Sequence, residues 1–276
     1  MEELLRVIVL GIVQGITEFL PISSSGHLII VRELFGWEFE DDLTLDVALH
    51  LGTTAAVLAF FWREWLSMLR AALGWVGAPG GSPPAPGSAY DERLLLLLAL
   101  GSLPAGIAGL AFESTIEDHV RSPIVAGTML LAFAGVLLIA DAAGRHRRDV
   151  ASSSWRDALL VGCAQAVSLI PGVSRSGITM SAALVRDYTR LDAARFSFLL
   201  STPIIVGAGM LQTSRAITDG IPRDEIGTLL AGATVAAVSG WLAIRYLLRL
   251  LQFSSYVPFV VYRVLAGVFV VVYFSF

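Results

Sequence analysis

The sequence contains no lysine: all 19 basic residues are arginine, set against 23 acidic ones in 276. With a net charge of −4 the chain presents no basic field to a phosphate backbone, so nucleic acid is not an expected partner. Cysteine is almost missing too. A lone Cys163 excludes an intrachain disulfide framework and a thiolate metal cluster, and reads as a small packing residue. Charge of either sign is scarce, at 15% of residues, where soluble domains carry roughly 25%. What is abundant is apolar: 55% of residues are hydrophobic and the mean hydropathy is +0.73. These totals describe an integral membrane protein. The first apolar stretch, from Leu4 to Val13 around Arg6, is followed by no small-residue cleavage pattern and is read as retained.

A bilayer core of about 30 Å needs about 20 apolar residues in a helix. Six stretches have that length, near 44–62, 93–112, 123–141, 193–213, 225–247 and 256–275. Two more apolar regions, near 4–35 and 156–186, are interrupted by Pro, Gly and clustered hydroxyls, and are expected to form re-entrant helical hairpins. Irregular backbone at membrane depth survives only where protein or a polar cavity satisfies its N–H and C=O groups. Each interruption therefore predicts a buried polar cavity. Residues 74–92, GWVGAPGGSPPAPGSAYDE, are expected to be a flexible surface tether inside a single membrane domain spanning 1–276.

If both broken regions enter and leave on one side, Arg63, Arg70, Arg93, Arg145, Arg147, Arg148, Arg156, Arg186, Arg190, Arg195, Arg245 and Arg249 share a face. The opposite face keeps Arg6, Arg32, Arg121, Arg215 and Arg223, with acidic stretches at Glu38–Asp42 and Glu113–Asp118. By the positive-inside rule the first face is cytoplasmic, which puts both termini outside.

The interruptions resemble one another. GIVQGITEFLPISSSG, residues 11–26, aligns with GCAQAVSLIPGVSRSG, residues 162–177, at a constant offset of 151 for the end glycines, Gln14 and Gln165, and the serines. Each copy is followed by three crossings. Three is odd, so the second copy starts from the other side of the bilayer, and repeats near 1–141 and 156–276 have inverted topology with a site between them. The expected fold is an all-α polytopic membrane protein of six full transmembrane helices plus two re-entrant helical hairpins. The small-residue stripe GTLLAGATVAAVSG, 227–240, is available for packing inside the protomer or for a homodimer.

Gln14 and Glu18 are spaced i, i+4 and share a helix face. A membrane carboxylate costs at least about 2.5–3.5 kcal/mol and calls for a partner. Ser23, Ser24, Ser25, Gly26 and His27 after Pro21, and Ser174, Arg175, Ser176 and Gly177 after Pro171, read as half-helix N-termini. Such ends, with Arg175 able to fork onto phosphate oxygens, suit an anionic phosphate. Glu18 and His27 supply acid, base or metal-ligand capacity, and Ser24 a hydroxyl that a base could activate. Taken singly, Ser23, Ser25, Ser176 and Thr179 read as hydrogen-bonding glue between helices, and Glu18 with Arg175 as a structural ion pair. Neither reading requires two broken helices and a histidine. His50 reads as a polar residue of a crossing, bonded to a neighbouring helix or lining the cavity; His119 and His146 read as loop residues.

The motifs QGITEFLPISSSGH and PGVSRSGIT resemble the two signatures of the bacterial undecaprenyl-diphosphate phosphatase family, the bacitracin-resistance family, and the likeness extends over essentially the whole chain. It implies a multi-pass protein of the bacterial plasma membrane that hydrolyses a polyprenyl diphosphate lipid to its monophosphate, recycling the carrier for peptidoglycan synthesis. It implies a divalent cation, Mg2+ or Ca2+. Catalytic roles fall on Glu18, Ser24, His27 and Arg175, and substrate contacts on Gln14, Ser23, Ser25, Ser174, Ser176 and Thr179, with Glu18 a possible metal ligand. Gln at position 14 cannot act as a base, which moves that role to Glu18 or His27. Attack by Ser24 and attack by a metal-bound water both remain open. A lipid-phosphate transporter or flippase built on the same inverted repeat is the alternative function.

Overall fold

The computed structural model describes residues 2–39, 42–73, 90–219 and 225–276, so residues 74–89 of the expected tether lie outside the described part. Among the described residues there are eleven α-helices and no strand: α1 Glu2–Phe19, α2 Ser24–Phe35, α3 Asp42–Phe60, α4 Trp62–Ala72, α5 Glu92–His119, α6 Pro123–Ala143, α7 Trp155–Val167, α8 Arg175–Val185, α9 Arg190–Asp219, α10 Ile226–Leu250 and α11 Val257–Ser275. Five of them, α5, α6, α9, α10 and α11, are long and apolar enough to cross a bilayer. A sixth candidate is α3 with α4, which meet at Phe61 with a bend of 70°. The two broken regions fold as the helix pairs α1/α2 and α7/α8.

Local chemistry sets these boundaries. Pro21 disfavours helix at the residue before it, and α1 stops at Phe19. Ser122 caps α6 by accepting a hydrogen bond from the Val125 amide, with Pro123 at the first helical position. Ser154 and Asp157 form a reciprocal capping box at the start of α7. Gly36 closes α2 in the left-handed conformation.

In a bilayer there is no hydrophobic drive between helices, so association depends on close packing and on polar contacts. The intimate pairs are α1 with α10, α10 with α3, α6 with α11 and α5 with α7. A Cβ added at Gly52 would lie 2.1 Å from the Ala233 carbonyl oxygen, and one at Gly162 would lie 2.1 Å from that of Gly101. Only glycine permits those approaches. The small-residue stripe of α10 is thereby used against α1 and α3 of the same chain. By contrast, α5 leaves Leu96, Leu103, Ile107 and Leu110 exposed along one face, as a helix against lipid does.

One end of the bundle is fastened by buried acids. Asp157, fully buried, receives both Nη atoms of Arg148 (3.1 and 2.8 Å), Nε of Arg186 (2.6 Å) and the Ser154 hydroxyl (2.6 Å). Asp141 holds Nε of Arg190 at 2.6 Å. Arginines that in the sequence served only as topological charges thus link α6 and α7 to the α8–α9 turn. Burial pushes the Asp157 carboxyl up, yet the hydrogen bonds from Arg148, Ser154 and Arg186 outweigh it and hold the group well below the usual carboxylate range. A depressed carboxyl adds stability that is complete above its unfolded value of about 3.9 and disappears as the pH falls through the folded value. Thermal midpoints in detergent should therefore be flat from pH 7 to 5 with respect to this group and fall below pH 4. Asp157→Asn, which leaves the partly exposed Arg148 and Arg186 without their shared carboxylate, should lower the thermal midpoint at pH 7 and remove that acid limb.

Candidate active site

The two interruptions lie side by side. Between α1 and α2 the chain turns through Leu20–Ser23, and between α7 and α8 through Ser168–Ser174. Ser23 and Ser174 have the same uncommon backbone, φ 77° and ψ 101° in one, φ 73° and ψ 111° in the other. Each caps its helix in the same way: Ser23 Oγ accepts from the Gly26 amide (3.4 Å), and Ser174 Oγ accepts from the Gly177 amide (3.1 Å). A non-glycine residue at positive φ costs of order 1–3 kcal/mol and persists where its surroundings hold it. Here they do. Ser23 Oγ also accepts from the Gly172 amide across the gap (3.1 Å), and Ser176 donates to the Leu20 carbonyl (3.0 Å).

Beneath both turns is Arg263 of α11, with no solvent exposure. Its guanidinium donates to five backbone carbonyls: Pro21 (3.1 Å) in the first turn, Gly172 (3.0 Å) and Val173 (3.1 Å) in the second, and Met129 (3.3 Å) and Leu130 (3.2 Å) in α6. The three turn carbonyls, which a broken helix leaves without amide partners, are thus satisfied by one side chain that is also tied to α6.

Above the turns is a cavity of about 310 Å³, lined by Glu18, Ser23, Ser24, Ser25, Ser174 and Arg175, and further out by Asp46, His50, Arg121 and Gln165. Glu18 is its centre. One carboxylate oxygen, Oε2, accepts the Ser24 hydroxyl (2.5 Å) and the Gln14 amide (3.1 Å), and the other, Oε1, is paired with Nη2 of Arg175. Thr179 steadies the Arg175 backbone, its hydroxyl donating to the Arg175 carbonyl (2.7 Å) and meeting Ser197 Oγ at 2.6 Å. At the rim Asp46 receives Arg32 (2.7 Å) and Arg121 (2.9 Å). Two helix N-termini, a carboxylate and a guanidinium therefore converge on one polar space. The N-termini and the arginine favour an anion, and the carboxylate is bonded to a hydroxyl on a first-turn residue.

The comparisons with known proteins agree with this reading of the motifs. The family description "Bacitracin resistance protein BacA" matches residues 7–269. The chain belongs to that family. Among curated relatives, the undecaprenyl-diphosphatase of Thioalkalivibrio sulfidiphilus is 44% identical over 272 residues, 99% of each chain. Undecaprenyl-diphosphatase 2 of Stutzerimonas stutzeri is 45% identical over 276 residues, again 99% of each, and the undecaprenyl-diphosphatase of Geobacter sulfurreducens is 46% identical over 272 residues, 98% of each.

For a bacitracin-resistance family protein the site differs in several respects from what its motifs suggest. Glu18, Ser23, Ser24, Ser25, Ser174 and Arg175 line the cavity as expected; Gln14 reaches it through Glu18, and Ser176 and Thr179 serve as braces behind it. His27 is turned elsewhere. Its Nδ1 lies 2.6 Å from the Ser23 carbonyl, which can only accept, and its Nε2 lies 2.7 Å from the Tyr262 hydroxyl, with the two rings stacked. Both ring nitrogens are occupied, and the Ser24 proton points to Glu18 instead. His50 does line the cavity: Nδ1 is 2.8 Å from the Asp46 carbonyl, and Nε2 faces Glu18 Oε2 at 3.9 Å. Gln165, the counterpart of Gln14, is buried at the cavity wall with neither amide atom hydrogen-bonded. Arg263 had a signal that sequence reasoning passed over, an arginine inside the last apolar run, where a charge is functional by default.

Proposed function

We propose that this chain is the membrane phosphatase that hydrolyses undecaprenyl diphosphate to undecaprenyl phosphate and inorganic phosphate, returning the lipid carrier to cell-wall synthesis and conferring bacitracin resistance. The observation that carries the chemistry is the Ser24–Glu18–Arg175 chain of contacts at the mouth of two facing half-helices. Ser24 Oγ attacks the terminal phosphorus and gives its proton to Glu18. The bond between that phosphorus and the bridging oxygen breaks, and the lipid monophosphate leaves. Water then displaces Ser24 from the phosphoryl group, and Glu18 returns the proton to Oγ. Arg175 and the α2 and α8 N-termini hold the phosphate oxygens through both steps, which is where most of the catalysis of phosphoryl transfer lies.

A divalent cation belongs to the proposal. Hard cations take oxygen ligands, commonly one or two carboxylates completed by substrate phosphates. Among the described residues no cluster of three or more His, Cys, Asp or Glu exists. Glu18 and the unpartnered amide of Gln165 nevertheless share the cavity wall, a donor set that fits such an ion once phosphate oxygens join it. The ion would be held by Glu18 and Gln165 and would offset phosphate charge.

For the architecture we favour six crossings and two re-entrant hairpins in inverted repeats, with both termini extracytoplasmic. The matched φ, ψ and capping bonds at Ser23 and Ser174 support it, as does the pairing of each broken helix with a crossing of the other half, α1 with α10 and α7 with α5. A homodimer, if formed, uses a surface other than the α10 stripe.

A flippase would use the same cradle without breaking a bond. Detergent-solubilised protein, which has no second compartment, separates the two: cation-dependent release of inorganic phosphate from undecaprenyl diphosphate is expected, and its absence would exclude the phosphatase. Acid quenching with label in the terminal phosphate should trap phosphoserine at Ser24. Substantial turnover by Ser24→Ala would instead assign the attack to water.

A further inference from the structure

The polar cavity accounts for the head of the substrate but not for its tail, and a second concavity adjoins it. A groove of about 380 Å³ runs between α3 and α10 and reaches the end of α9, with Val47, Leu51 and Ala55 on one wall and Leu229, Leu230 and Ala237 on the other. The two spaces share α3. Asp46 and His50, four residues apart, face the cavity; Val47 and Leu51, each one position later and so about 100° further round the helix, face the groove. On α9 the cavity reaches Gly209, and the groove begins one turn on at Thr213. At their boundary Gly209 meets Leu51: a Cβ placed on Gly209 would lie 3.0 Å from Cδ2 of Leu51. The groove is kept open by small residues, and Leu230 and Ala55 leave it accessible from the membrane side.

From this continuity we infer that the α3–α10 groove is the binding site for the first isoprene units of the lipid substrate, which pass the Leu51–Gly209 contact as the diphosphate enters the cavity. The inference rests on the phosphatase reading. Moving a prenyl chain from lipid into an apolar groove gains little from the hydrophobic effect, since lipid is equally apolar. What the groove supplies is orientation, with the tail held along α3 so that the terminal phosphorus faces Ser24. The methyl-branched chain suits a groove walled mainly by small and branched apolar residues, and Gly209 is the position at which a side chain would narrow the passage.

The test compares two diphosphates, the undecaprenyl ester and an ester bearing a single isoprene unit, on purified wild type and two variants, Ala55→Phe to fill the groove and Gly209→Val to narrow the passage. Ala55 is exposed and Gly209 packs only against the tip of a flexible leucine, so both variants are expected to fold. Misplacement of a reacting group by about 1 Å can cost on the order of a hundredfold, so kcat/KM for the long substrate should fall roughly tenfold or more. Turnover of the one-unit ester by Ala55→Phe should fall much less than that of the long substrate. Equal losses on both substrates, or no loss on either, would overturn the groove assignment and leave it to membrane lipid. A photoactivatable prenyl diphosphate gives an independent reading, with labelling expected in α3 and α10 and labelling confined to α5 or α7 counting against it. If wild type releases phosphate from neither ester, it is the phosphatase reading that fails.

Discussion

Arg175→Ala should lower phosphate release by roughly 10²–10³-fold, the loss found when a fixed donor to a developing charge is removed, and it should do so through kcat at least as much as through KM. The reason lies in the two partners of that guanidinium. It pairs with Glu18 Oε1 inside a cavity built for an anion, and it is the only arginine among the described residues that sits on a first-turn position of either half-helix. Without it Glu18 becomes a buried carboxylate without its arginine partner, and on the proposed reading the phosphate loses a charged donor. Lysine at this position restores a charge but not the planar fork, so Arg175→Lys should recover only part of the activity. Glu18→Gln, which has a single acceptor oxygen for Ser24 and Gln14, turns an NH2 towards Arg175 and cannot accept the serine proton, should cost about 10²–10⁴-fold as loss of a general base does. Normal phosphate release by Arg175→Ala would remove this residue from the mechanism.

The second large effect is expected far from the phosphate. Arg263→Met conserves much of the side-chain volume but strips the three turn carbonyls, Pro21, Gly172 and Val173, of their donor and cuts the tie to Met129 and Leu130 of α6. A buried group left unsatisfied costs about 1–3 kcal/mol, so the sum threatens a protein whose whole stability is about 5–15 kcal/mol. Little folded Arg263→Met should be recovered in detergent. Arg263→Lys can reach some of these carbonyls and is the informative variant: it should fold, melt lower and show a reduced kcat with a KM close to wild type, because the turns are displaced rather than the phosphate contacts removed. A wild-type melting temperature in Arg263→Met would show that the carbonyls find other partners.

These two arginines also mark what was legible in the sequence. Arg175 stands in a motif whose spacing relative to Ser174 and Gly177 repeats that of the first half, so its place at a helix start followed from pattern alone. The interruptions, the five long helices and the polar cavity between the breaks were readable for the same reason: membranes leave few ways to satisfy a backbone. Arg263 announced itself only as a charge inside an apolar run; its role was not readable, because it depends on carbonyls 90 to 242 residues away in the chain. His27 misled for a related reason. Sequence proximity to Ser24 suggested a base, but the ring is held away from it by the Ser23 carbonyl and the Tyr262 hydroxyl, the latter 235 residues distant in the chain. The bend at Phe61, which divides the expected crossing near 44–62 from α4, has no Pro or Gly to announce it.

The pairing of Glu18 with Arg175 has one more consequence. Before substrate arrives, the guanidinium already holds an anion, and that anion belongs to the protein. On the proposed reading, binding would be an exchange of counter-ions, in which the diphosphate competes with Glu18 for Arg175. After cleavage the exchange would run backwards, Glu18 reclaiming the arginine as the smaller phosphate leaves.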